Sequence, residues 1–265
     1  MPYATSGQSR IYYESHGSGE SGRPDAPPLV LVHGAGGNHA IWWQQVAHFR
    51  TRRRVITVDL RGFGRSDTVA DGPDSLDFPA DIHAVLQHAE AAPAVLLGQS
   101  IGAVAALRCA VLHPDRVAAV VLANSVGGLN HPELTPLVKA DRAEAEKLAV
   151  IDRLLTKPFQ EQQGAKTLLF LQIGTFNQAK MQDLRNMSAP GPTPEEVRRA
   201  HAKVHFIAGE TDRVLSPPTA RKAQSLLPGS TIDVVAGAPH SMYWEVPDLF
   251  NASLERCLQT IHGAV

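Results

Sequence analysis

Apolar positions along this chain gather into short unbroken runs, separated by stretches with helical spacing. The runs are "LVLVHG" from Leu29, "RVITVDL" from Arg54, "AVLLGQ" from Ala94 and "VAAVVLAN" from Val117. Each has strand length and is apolar at consecutive positions, as in strands covered on both faces. Between them lie "HAIWWQQVAHFR" (39–50), "SLDFPADIHAVLQHAE" (75–90) and "IGAVAALRCAVLH" (101–113), which read as helices. Strand–helix–strand alternation predicts a parallel sheet with right-handed crossovers. An earlier run, "RIYYES" from Arg10, alternates instead and reads as an antiparallel strand. It is followed by "GSGESGRPDAPP" (17–28), whose glycines and prolines mark a flexible turn.

The rhythm breaks after Asn124. From Gly127 to Arg199 no strand series is legible. Helix-like stretches ("LTPLVKADRAEAEKLAVIDRLL", "GAKTLLFLQIGTF") lead to a loop, "SAPGPTPEE". The alternation resumes with "KVHFIAGE", "PPTARKAQSLL", "TIDVVAG" and a last helix near "PDLFNASLERCLQTI". The expected fold is α/β, with a mostly parallel central sheet of about eight strands flanked by helices. It forms one domain, with a core of 1–126 and 200–265 and a helical cap or lid insertion at about 127–199.

Composition narrows the partners. A chain of 265 residues suits one α/β domain with a modest insertion. A net charge of −1 gives no support for nucleic-acid binding or for attraction to an anionic membrane. The basic run "RTRRR" (50–54) reads as a solvated helix end. Two cysteines make no disulfide framework, and Cys109 reads as a small buried apolar residue. The start of the chain lacks a secretory pattern, and no apolar run is long enough to span a bilayer. The expectation is a cytoplasmic protein acting on a small molecule, with no membrane partner.

In an open parallel sheet, ligands gather at the carboxyl ends of the strands. Several chemically capable residues fall there. Ser100 sits in "GQSIG", between a strand and a helix, where a sharp turn lifts its hydroxyl off the sheet. This is the strand–turn–helix context of a nucleophile elbow. A serine needs a base, and His240 stands in "GAPHSMYWEVPDLF", between the last strand and last helix. His113 reads as a helix-end residue, and His83 and His88 as surface positions. A carboxylate must orient the imidazole. Asp212 in "AGETDRVLSP" is the better candidate because it lies further past its strand than the competing Glu210. An oxyanion hole needs two backbone N–H groups. Ile101 follows the nucleophile at a helix N-terminus, and Ala35 lies in the glycine-rich "HGAGG". That loop lacks both the Walker lysine and the dinucleotide spacing.

On "HGAGG", "DLRGFGRSD", "GQSIG", "AGETDRVLSP" and "GAPHSMYWEVPDLFN", in this order, the chain resembles the α/β-hydrolase fold superfamily, in its small single-domain esterase-like branch. The resemblance covers nearly the whole chain outside the insertion. It implies a Ser100–Asp212–His240 triad in the family's order of nucleophile, acid and base. It also implies structural roles for Arg61 and Ser66 and a lid over the site. Dehalogenases and epoxide hydrolases of the family carry aspartate where this chain has Ser100.

The expected activity is hydrolysis of a small carboxylic ester or lactone through an acyl-enzyme, needing no metal and no organic cofactor. The alternatives are carbon–carbon bond hydrolysis of a ring-cleavage diketone and a hydrolase-like small-molecule receptor. Weaker substrate-binding candidates are Gly34, Trp42, Trp43, Phe170, Phe176 and Met242. Asn38, His39 and Ser125 flank the catalytic loops.

Overall fold

The computed structural model describes residues 3–17, 26–201 and 203–262. Most of the turn expected at 17–28 lies outside them. Eight strands form one sheet in the order β1-β2-β4-β3-β5-β6-β7-β8. These are β1 (Tyr3–Ser6), β2 (Ser9–His16), β3 (Leu29–Val32), β4 (Val55–Val58), β5 (Ala94–Gln99), β6 (Val117–Ala123), β7 (Lys203–Gly209) and β8 (Thr231–Val235). β1 and β2 pair antiparallel, as do β2 and β4, and every later pairing is parallel.

The sheet is covered on both faces, which is why its central strands are apolar at nearly every position. Val30 and Val32 of β3 and Ala94 and Leu96 of β5 join one core. Their neighbours Leu29, Leu31, Val95 and Leu97 join the other. The period-two alternation of a strand thus divides one apolar run between two cores. The first core receives α2 (Phe78–His88), α3 (Ile101–Leu112), α8 (Pro194–Arg199) and α9 (Pro217–Ser225). The second receives α1 (Trp43–Phe49), α10 (Met242–Glu245) and α11 (Pro247–His262).

Between β6 and β7 the chain also forms α4 (Thr135–Glu146), α5 (Val150–Leu154), α6 (Lys157–Gln162) and α7 (Gly164–Gly174). Local details differ from the sequence reading. The segment 134–155 is not continuous but breaks between α4 and α5. Residues 39–42 form a 3₁₀ turn capped by Asn38 before α1 begins. The "SAPGPTPEE" loop ends inside α8, because Thr193 and Glu196 form a reciprocal capping box and Pro194 starts the helix. β1 was not legible: "YATS" is a short edge strand without an apolar run.

The "DLRGFGRSD" segment builds the turn after β4. Ser66 Oγ donates to Asp59 O (2.7 Å) and accepts from Tyr12 N (2.8 Å). Arg61 is paired with the buried Asp81 (2.5 Å) and with Asp77 (3.1 Å). Both residues hold the turn after β4 in place.

Candidate active site

Ser100 stands between β5 and α3 with φ 53° and ψ −115°. A non-glycine residue is strained there, and only close backbone packing permits the turn. A Cβ on Gly102 would lie 2.4 Å from Val32 O, and one on Gly98 would lie 2.3 Å from Gly102 O. The two glycines around the serine are therefore required by contact: Gly102 by the end of β3, and Gly98 by the first turn of α3 folding back on β5.

The carboxyl ends of β7 and β8 supply the second group. His240 Nδ1 lies 3.0 and 2.9 Å from the two carboxylate oxygens of Asp212. Since a carboxylate only accepts, this assigns the proton to Nδ1 and leaves a lone pair on Nε2. Both side chains are buried. Asp212 Oδ1 also accepts from Val214 N (2.7 Å) and Leu215 N (3.0 Å), and Oδ2 accepts from Asn124 Nδ2 (2.8 Å). Four donors thus converge on one carboxylate, which satisfies a buried charge. Glu210 instead points outward, where Oε2 accepts from Gly237 N at 2.8 Å.

The histidine and serine loops meet through the residue before the serine: Gln99 Nε2 donates to His240 O at 3.4 Å. Among the described residues no hydrogen bond joins Ser100 Oγ to His240. Catalytic hydrogen bonds are often long before substrate arrives.

The "HGAGG" loop lies against the serine, where a Cβ on Gly34 would come 3.2 Å from Ser100 Cβ. His33 is locked beneath it. Leu60 N donates to Nε2 (3.0 Å), and Nδ1 donates to Gly34 O (2.8 Å). Burial holds this imidazole below its ordinary range, so it stays neutral. Neither the Ala35 nor the Ile101 N–H has a backbone acceptor among the described residues. Ile101 is the first residue of α3, where an N–H has no partner within the helix and the helix dipole favours negative charge.

The weaker candidates scatter. Trp42 packs on Tyr243 with ring centroids 4.8 Å apart, and Met242 lies beside it in the same core. Both have no exposed surface. Here the 3₁₀ turn before α1 packs on α10. Trp43 is 47% exposed and meets Trp244 edge to face. Phe170 packs on the same indole at 5.4 Å. Phe176, 73% exposed, points away from the core.

Two residues of the site had gone unread. Asn124 follows β6 with φ 50°, a conformation asparagine tolerates, and holds Asp212. Gln99 had been read only as part of a strand. The available signal for Asn124 was its type and place, an amide at a strand's carboxyl end.

Among the described residues no group of three or more His, Cys, Asp or Glu side chains is arranged to hold a metal ion. No helix there is long and apolar enough to cross a membrane.

The model of the α/β hydrolase fold family matches residues 27–247. A 3-oxoadipate enol-lactonase of Acinetobacter baylyi is 26% identical, over 90% of this chain and 91% of its own length. A 2-hydroxymuconate semialdehyde hydrolase of a Pseudomonas species is 40% identical over a shorter stretch, 38% of this chain and 37% of its own. Among solved structures, a thermophilic esterase from Thermogutta terrifontis superposes with a TM-score of 0.79 at 20% identity, covering 98% of each chain.

Proposed function

The chain belongs to the α/β-hydrolase fold family and is a hydrolase, and we propose that it cleaves a small carboxylic ester or lactone with Ser100, His240 and Asp212. The observation that carries this reading is the buried Asp212–His240 pair, with its free Nε2, on a loop bonded to the residue before a strained Ser100.

Ser100 Oγ attacks the ester carbon while His240 Nε2 takes its proton. The carbonyl oxygen becomes an anion and is held by the Ala35 and Ile101 N–H groups. Collapse breaks the bond to the leaving oxygen, which receives the proton from His240. Water, deprotonated by the same nitrogen, then attacks the acyl-enzyme and releases the acid. Asp212 keeps the imidazole in the tautomer that each transfer needs.

A second reading is hydrolysis of a carbon–carbon bond in a ring-cleavage diketone, supported by the 40% identity to the semialdehyde hydrolase. The same constellation serves it. A screen of p-nitrophenyl esters of graded chain length beside a ring-cleavage dienone separates the two, with Ser100→Ala as the blank. An organophosphonate should leave one adduct, on the peptide containing "GQSIG". Labelling that persists in Ser100→Ala removes this serine from the mechanism.

A further inference from the structure

Three of the loops that carry the proposed chemistry are each bonded to a different part of the β6–β7 insertion. The acid loop is held by α4, where Asp141 Oδ2 accepts from Ser216 N (2.9 Å) and Ser216 Oγ (3.0 Å). The histidine loop is held at the end of α5. Ser241 N donates to Leu154 O (3.0 Å), and Thr156 donates through N (2.9 Å) and Oγ1 (2.5 Å) to Glu245. The oxyanion loop is held by the end of α7.

There the bonds run through two amides. Asn177 Nδ2 donates to Gly37 O (3.1 Å), and its Oδ1 accepts from Gly64 N (2.9 Å) and Asn38 Nδ2 (3.1 Å). Asn38 Nδ2 also donates to Ile173 O (3.0 Å), and its Oδ1 accepts from Ala40 N (3.1 Å). One side chain of the insertion thus joins the oxyanion loop to the turn after β4. Residues 34–37 are Gly-Ala-Gly-Gly. A loop of that composition has almost no side chain to pack, and its backbone is permissive. Beyond its own turn bond, Gly37 N to Gly34 O (3.1 Å), and the packing of Ala35, its position depends on hydrogen bonds made by its neighbours.

We propose that Asn177 is a positioning residue for hydrolysis. Its bond to Gly37 O, reinforced by Asn38, holds the loop so that the Ala35 N–H meets the oxyanion. The proposal rests on the ester-hydrolase reading. An oxyanion hole works because its donors are in place before charge develops. A loop free to shift weakens the transition state more than it weakens substrate binding. Asn177 therefore acts on kcat and leaves KM nearly alone.

Asn177→Asp isolates the critical bond. The carboxylate keeps both acceptor contacts, to Gly64 N and Asn38 Nδ2, and turns the donation to Gly37 O into a repulsion. Asn177→Ala removes all the contacts. Steady-state kinetics on p-nitrophenyl esters would be compared with inhibition by a trifluoromethyl ketone, whose adduct places an anionic oxygen at the same position. Loss of one oxyanion donor costs roughly 10²–10³ in turnover, so a displaced donor should cost about 10–100-fold. Both variants should lose that much in kcat, with KM within about threefold. The ketone should weaken in parallel, and Asn177→Asp should melt close to wild type.

Wild-type kcat in Asn177→Asp, whatever Asn177→Ala does to the melting temperature, overturns the proposal and leaves Asn177 a merely structural contact. So does an equal rise in KM without loss of kcat. A wild-type protein that turns over no ester fails in a different arm, and overturns the ester-hydrolase reading together with this one.

Discussion

Asp212→Asn tests the proposed acid, and the structure sets what it should cost. Asparagine brings two hydrogens of its own to a site where every neighbour already donates. Near the position of Oδ1 stand the N–H groups of Val214 and Leu215, which cannot turn away. The new amide must therefore keep its oxygen there and place its nitrogen beside Asn124 and His240. Asn124 can adapt, because its Oδ1 is buried with no partner among the described residues and accepts once the amide flips. The flip gives up only a long contact from Nδ2 to Pro239 O (3.4 Å). His240 Nδ1 lies against both positions (3.0 and 2.9 Å), and facing the new amide nitrogen it becomes an acceptor and the proton moves to Nε2. That tautomer cannot take a proton from Ser100. Two charge-assisted bonds to backbone become neutral ones, at about 1 kcal/mol each. The expected loss of stability is about 2 kcal/mol, a fall in Tm of roughly 4–8 °C. In the serine-protease template the corresponding change costs roughly 10⁴-fold in turnover, and a similar loss is expected here. Turnover on the best ester and calorimetric melting should be read on the same preparation, beside Glu210→Gln. A variant Asp212→Asn within tenfold of wild type, with Glu210→Gln severely impaired, would refute the acid assignment.

Gly102→Ala should abolish activity or folding, because its methyl carbon would meet Val32 O at 2.4 Å and His33 O at 2.5 Å; a soluble, fully active variant sinks the close-packing account of the elbow. Burial pushes the Cys109 and Cys257 thiols up to about 12, so a disulfide reagent at pH 8 should react only as fast as the chain opens, and rapid native-state labelling contradicts this. Burial also lowers His33 and His205 below their ordinary value of 6.5. The unfolded chain therefore takes up protons first, and stability present above pH 6.5 is lost as the pH falls. Urea unfolding at pH 7.5 and 5.5 should show that decline, with a flatter dependence in His205→Gln. The acid limb of ester hydrolysis should vanish in His240→Ala, leaving weak activity; an unchanged limb would point to another base.

The parts of this molecule that sequence made legible are those with a local cause. A strand covered on both faces is apolar at nearly every position, so β3, β5 and β6 stood out. A serine between glycines after such a strand is equally local, since the glycines answer to α3 lying close against the ends of β3 and β5. The break between α4 and α5 was not visible, because "AEAEKLAVID" has good helical composition throughout. Tertiary docking of Leu155 and Phe159 into the second core decides where the chain turns. Nearness in sequence to a loop at the strand ends likewise says nothing about which way a large side chain packs: Trp42 and Met242 go inward, and Trp43 stays half exposed.

The residues whose role the sequence does not disclose share another property: each bridges segments far apart in the chain. Asn124 reaches Asp212 across 88 positions, Asn38 reaches Asn177 across 139, and Asp141 reaches Ser216 across 75. Such a residue has no periodicity to betray it, because its partners come from elsewhere. It is nevertheless what holds a catalytic geometry still. Ser100, the proposed nucleophile, is fixed by its own turn. His240, Asp212 and the glycine-rich loop sit on connections that a sheet positions only at one end. Their other anchors come from the helices between β6 and β7. On the proposed reading, a segment that holds these three loops cannot change freely to admit a new substrate, because a shift in α4, in the end of α5 or in the end of α7 reaches Asp212, His240 or the Ala35 N–H in turn. Changes of specificity should therefore concentrate at insertion positions that bear no anchor, such as Leu168, Leu169 and Leu171 on the exposed side of α7.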